Sequence, residues 1–248
     1  MRPARTFALA LAAAGLFAGT APAATLVLWE GKAGLTPGQA TAAVTNDTYL
    51  KFGDNTPNGT QTTFQTGPAG TVGLLQFPNL FGAIPAGSVI TGAMLDLCAP
   101  GSTSSSAVVN ISLATNSWTE SSVWTGASNG NGGVGVGATV ATKTGLTQGH
   151  NTFNILSALL AWQANPASNF GLVIRTTSGT PVVFASSDHP NFALNNNERP
   201  TLTITYTTPT TPNNPVPAPA GAVLLGFGGL LAAARNLRRR ATAPTTVA

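Results

Sequence analysis

Cysteine is almost absent: Cys98 is the only one in 248 residues. It cannot form an internal disulfide, and the chain cannot build a zinc site that needs several cysteine ligands. Only two histidines, His150 and His189, are available for general-base or metal chemistry. Charge is scarce as well. Lys, Arg, Asp and Glu make up 7% of the residues, where an ordinary globular domain carries about a quarter. A catalytic centre built from several ionisable groups has little material here. Turn chemistry, by contrast, is plentiful. The 28 Gly and 18 Pro, among many Thr, Ser and Asn, are the composition of strands joined by frequent turns.

A formal net charge of +4 suggests a polyanionic partner until the charges are located. Arg2, Arg5, Arg235, Arg238, Arg239 and Arg240 all lie near the two ends. Between them Lys32, Lys51, Lys143, Arg175 and Arg199 stand against all seven acids: five minus seven, or −2. The body is slightly acidic, so no nucleic-acid partner is expected.

Residues 1–23 have the layout of a secretory signal peptide. Arg2 and Arg5 precede an apolar stretch from Phe7 to Ala18 and the small-x-small site Ala21-Pro22-Ala23. Export machinery is the implied partner, with cleavage after Ala23. The alternative, a retained anchor, has an apolar stretch too short for a stable span. At the other end, residues 207–215 form a Thr/Pro linker that cannot pack a core. Residues 216–240 hold Val216-Pro217-Ala218-Pro219, an apolar run from Ala220 to Ala234, and the cluster Arg235, Arg238, Arg239 and Arg240. Residues 241–248 are a tail. One reading of 216–240 is a short membrane helix with its arginines held in the cytoplasm. The order of the three parts also resembles a PEP-CTERM sorting signal, with Ala218 at the Glu position. That resemblance implies an exosortase-like sorting enzyme that reads Val216, Pro217, Pro219 and the four arginines. It further implies transient membrane association through the C-terminal helix, then residence at the cell envelope or surface, or secretion after processing.

Residues 24–206 read as one all-β domain: an antiparallel, jelly-roll-like β-sandwich with one short helix. In Val108–Ala114, Val109, Ile111 and Leu113 share a face; in Thr201–Tyr206, Leu202, Ile204 and Tyr206 do. Ser88–Leu97 groups Ala93, Leu95 and Leu97, and Asp47–Phe52 groups Leu50 with Phe52. Further strands are expected at Leu26–Trp29, Thr71–Phe77, Thr152–Ile155, Phe170–Arg175 and Val182–Ala185, and Gly126–Gly137 reads as a loop. Only Ser157–Ala164 reads as a helix, ended by Pro166.

Several segments of this body, in order, resemble the DNRLRE family of extracellular β-sandwiches, related to carbohydrate-binding module family 96. They are Asp47-Thr48-Tyr49-Leu50, Asn58-Gly59, Leu74-Leu75-Gln76-Phe77, the stretch Ile84–Leu97, and Trp118-Thr119-Glu120 through Trp124. Phe184–Asp188 followed by Arg199–Leu202 completes the set. The resemblance implies an exported polysaccharide-binding role and covers roughly residues 45–206, leaving 25–44 as a candidate extra edge strand.

Candidate chemistry is thin, and no enzyme is expected. Asp188 and His189 are adjacent on an extended segment, so their side chains point apart and cannot act as an orienting pair. Glu120, between Trp118 and Trp124, reads as a structural acceptor rather than a general acid. The GNGGVGVG segment at 130–137 lacks the helix that would aim its N–H groups at a phosphate. A structural calcium ion is the conceivable cofactor, since Asp47, Asp54, Asn58 and Asp188 offer hard oxygen ligands. Capping of loops is the competing role for these four. Sugar recognition would use an exposed ring with polar neighbours. Trp118, Trp124 and Tyr49 are the candidates, Tyr49 as the most exposed because it should face away from Leu50 and Phe52. Two functions follow: a non-catalytic module associated with polysaccharide, or a structural and adhesive matrix protein without a specific ligand.

Overall fold

The computed structural model describes residues 23–29, 45–68, 70–101, 103, 106–125, 132–190, 192–193 and 196–209. Expectations for residues 1–22 and 210–248, including the signal peptide and the sorting segment, lie outside the described residues. In chain order the strands are β1 (Ala23–Leu28), β2 (Asn46–Lys51), β3 (Thr63–Thr66), β4 (Thr71–Gln76) and β5 (Val89–Ala99). They continue with β6 (Val108–Ala114), β7 (Val136–Thr144) and β8 (Gly149–Asn154), then the helix α1 (Leu156–Ala164). After it come β9 (Leu172–Ser178), β10 (Val182–Ala185), the two-residue pair β11 (Phe192–Ala193) and β12 (Asn196–Asn197), and β13 (Thr201–Thr207).

Two sheets face each other, one in the order β1-β13-β5-β8 and one in the order β2-β4-β9-β6-β7, with every pair antiparallel. Set β2 aside, and the eight remaining long strands, counted along the chain, run 1-8-3-6 in one sheet and 2-7-4-5 in the other. That is the double Greek key of a jelly roll, as the alternation led one to expect. β1 is an edge strand, as foreseen for the segment outside the resemblance, and an integral member of the first sheet.

The core follows from period two. Ala93, Leu95 and Leu97 of β5, Leu202 and Ile204 of β13, and Val109 and Ile111 of β6 are almost wholly buried between the sheets. β3 and β10 form a small sheet that adds Phe64 and Phe184, ring centroids 5.6 Å apart, to the same core. Thr66 fastens this pair to the larger sheet. Its hydroxyl donates to the Ile174 carbonyl at 3.0 Å and accepts from the Thr176 amide at 2.7 Å. A second cluster lies on the other face of the five-stranded sheet, where Trp118, Trp124 and Val134 cover Leu50, Val72, Leu74 and Val173. β4 is therefore buried on both faces, which is why its sequence runs Val-Gly-Leu-Leu without alternation.

The two ends of the sandwich differ. Ala23 pairs with Thr207, and Thr207 with Val89, so the chain enters and leaves the domain at one end. Residues 77–88 and α1 close that end. Gln163 Nε2 donates to the Ser88 carbonyl at 3.0 Å, and Asn169 Nδ2 to that of Phe77, also at 3.0 Å. The opposite end carries Lys51, Thr71, Ala99, Val108, Thr144 and Gly149.

Candidate functional site

Of the three candidate rings, none presents an open face. Trp118 is buried, and its indole N–H donates to the Phe170 carbonyl at 2.7 Å. Trp124 is buried in the outer cluster. Tyr49, expected to be the most exposed, packs part-buried against the main core. The reason is that β2 places Tyr49 opposite Gly73, on the sheet face that looks inward toward Phe64, while Leu50 faces the tryptophans.

The exposed ring is the neighbour that alternation had grouped with Leu50. Phe52 lies just past the last residue of β2, in a turn, and is 71% exposed. Its ring stands edge-on to Trp124, centroids 5.5 Å apart and planes at 78°. The Phe52 amide donates to the Gly70 carbonyl at 2.9 Å. Gly70 has φ +79°, and a Cβ there would come within 3.0 Å of the Phe52 Cβ, so this close contact suits glycine alone. The result is an aromatic ring held from below and from one side, open on the other, at the end opposite the chain exits. Beside it Asp54 accepts from the Thr56 amide at 2.9 Å. That hydrogen bond, with help from Lys51, holds the Asp54 carboxyl below the usual range. An exposed ring face with Lys51, Asp54 and Thr56 close by in the chain can stack on the CH face of a sugar while polar groups exchange hydrogen bonds with its hydroxyls.

The four expected calcium ligands do not converge. Asp54 is engaged in its own turn, and Asn58 Nδ2 donates to the Tyr49 carbonyl at 3.2 Å and the Thr56 carbonyl at 3.0 Å. These are capping roles. Asp47 and Asp188 do come near each other, with Glu120, which packs against Gly59. Asp47 is 1% exposed, and its Oδ2 accepts from the Ser187 amide at 2.6 Å. Burial above all, with the charges of Asp188 and Glu120 adding to it, pushes its carboxyl up to about 7 against that hydrogen bond. Among the described residues no three His, Cys, Asp or Glu form a group able to hold a metal ion. Of the four residues read as calcium ligands, Asp47 and Asp188 are neighbours, and Asp54 and Asn58 are engaged in turns.

One constellation escaped sequence reasoning. Cys98 on β5 pairs directly with His150 on β8, and Asp96 shares the outward face of β5 with Cys98. His150 Nδ1 lies 2.7 Å from Asp96 Oδ2. Thiol, imidazole and carboxylate are thus neighbours, the composition of a cysteine hydrolase. The chemistry is set the other way. Cys98 is buried, and burial, then Glu198 and Asp96, push its thiol up to about 11. An activated nucleophile needs a depressed value. The second histidine, His189, lies 3.4 Å from Glu198, and Arg199 Nε donates to the His189 carbonyl at 2.8 Å. No protein-family model matches the chain, and no curated protein matches it either.

Proposed function

We propose that the chain is an exported, surface-associated, non-catalytic module that binds extracellular polysaccharide. The observation that carries this reading is Phe52: a large exposed ring, fixed on Trp124 and the Gly70 backbone, at the end of the sandwich away from both chain exits. A ring already fixed in place loses little conformational freedom on binding. The segment order shared with DNRLRE sandwiches and the PEP-CTERM-like end of the chain point the same way. Export machinery and an exosortase-like enzyme complete the proposed partners. The flanking charges, Lys51 and Asp54, offset one another, which favours neutral over polyanionic glycans.

A glycan array and affinity electrophoresis on the exported protein test this. Saturable binding should survive added salt and fall about tenfold in Phe52→Ala, a stacking contact being on the order of 1.5 kcal/mol. Phe52→Trp should keep it. A blank array from a normally folded protein would favour the structural and adhesive reading instead.

A further inference from the structure

We infer that the end of the sandwich where the chain enters and leaves is a docking face for a lipid bilayer surface, the one that receives the apolar run Ala220–Ala234. This rests on the export and anchoring reading of the chain's ends and not on the sugar ligand.

Three observations coincide there. First, the part of this end built by the segments around β5, α1 and β13 carries no acidic or basic side chain. Residues 77–93, 155–174 and 200–209, which build it, contain no Asp, Glu, Lys, Arg or His. Lys51, Asp54, Asp96 and Lys143 lie toward the opposite end, and Asp47, with Asp188 and Glu120 near it, belongs to the β2 edge. Second, among the described residues two of the four large exposed hydrophobic side chains are on this end, Val89 at 60% and Leu160 at 44%. Phe81, Ile84 and Leu156 are half-buried around them. The Gln163–Ser88 hydrogen bond joins the helix that carries Leu160 to the strand start that carries Val89. Single exposed apolar residues are ordinary, but here they sit on segments without acidic or basic residues. Third, Thr207 pairs with Val89, and only residues 210–219 separate Pro209 from the apolar run. Fully extended, such a tether spans roughly 35 Å. An anchored chain therefore holds this end close to the bilayer at high effective concentration, and a weak apolar patch is then enough to dock.

The test uses the full chain with Cys98→Ser, reconstituted in phosphatidylcholine vesicles. A polarity-sensitive dye is placed on Val89→Cys, on Leu160→Cys, or on Thr177→Cys at the opposite end, each chosen at an exposed position so that folding is kept. Urea midpoints matching the parent verify the fold. Lipids carrying a nitroxide near the headgroup should quench positions 89 and 160 at least twofold more than 177. Flotation of the chain with equal quenching at all three sites would overturn the docking face while leaving the anchor intact. A chain that does not float would overturn the anchor and the docking face with it. A dye response that persists without vesicles and scales with protein concentration would assign this face to a second copy instead.

Discussion

Asp47 should make this protein more stable in mild acid than in mild base, and a single substitution should remove that preference. The carboxyl is 1% exposed and is raised from 3.8 to about 7, burial being the largest cause and Asp188 and Glu120 adding to it. The folded state therefore binds this proton more tightly than the unfolded chain does. Its favourable contribution is full below about pH 4 and is lost as pH climbs through about 7. A shift of about 3 units corresponds to on the order of 4 kcal/mol. Asp47→Asn removes the charge and keeps an oxygen for the Ser187 amide, so the buried donor stays satisfied. The variant should match the parent near pH 4 and exceed it by about 2–4 kcal/mol near pH 8. Urea midpoints with unchanged m-values, taken across that range, measure the difference. A parent that is the more stable of the two near pH 8 would refute the reasoning. The measurement also bears on calcium. A bound divalent cation would need the ionised carboxylate, so with calcium present the substitution would destabilise, and EDTA would abolish that effect.

Four other outcomes are expected. Ile204→Ala should cost about 2–5 kcal/mol because the side chain is fully buried, while Thr203→Ala, on the opposite face of β13, should cost well under about 1 kcal/mol; urea midpoints compare them. Thr66→Val leaves the Thr176 amide without its acceptor and should cost about 1–3 kcal/mol by the same measurement. Cys98 should react with a disulfide reagent only as fast as the domain opens, so its rate at pH 8 should rise steeply in sub-denaturing urea. Trp118→Phe removes the indole donor to Phe170 and should lower stability without a change in glycan binding, which separates the buried tryptophans from Phe52.

Most strands were legible because burial on one face imposes period two. Val108–Ala114 and Val182–Ala185 were placed to the residue, and the helix to within one. β7 was not. It is an edge strand with no fully buried residue and two register shifts against β6, so its Val-Gly-Ala-Thr sequence carries no alternation to read. β3 is too short to show a period, with Phe64 as its one large apolar side chain. Thr207, read as linker, is the last residue of β13, because Ala23 and Val89 supply partners on both sides of it. The apolar patch at the chain exits was hidden for a different reason. Its three segments are far apart in the chain, and only the fold gathers them into one surface.

The site was harder to read, and Tyr49 and Phe52 show why. Alternation assigns faces only while a strand lasts, and β2 stops at Lys51. One residue later the backbone turns to meet Gly70, and Phe52 swings out instead of following Leu50 under the tryptophans. Alternation also says which residues share a face, not what covers it. Leu50 and Trp124 meet on the outer face of the sheet because Trp118, Trp124 and Val134 pack across it, a contact between segments far apart in sequence. The same limit hid Cys98 beside His150, which only the β5–β8 register reveals. Residues that touch through a turn or across a sheet leave no periodic trace, so a functional surface built at strand ends is the part of such a fold that a sequence discloses last.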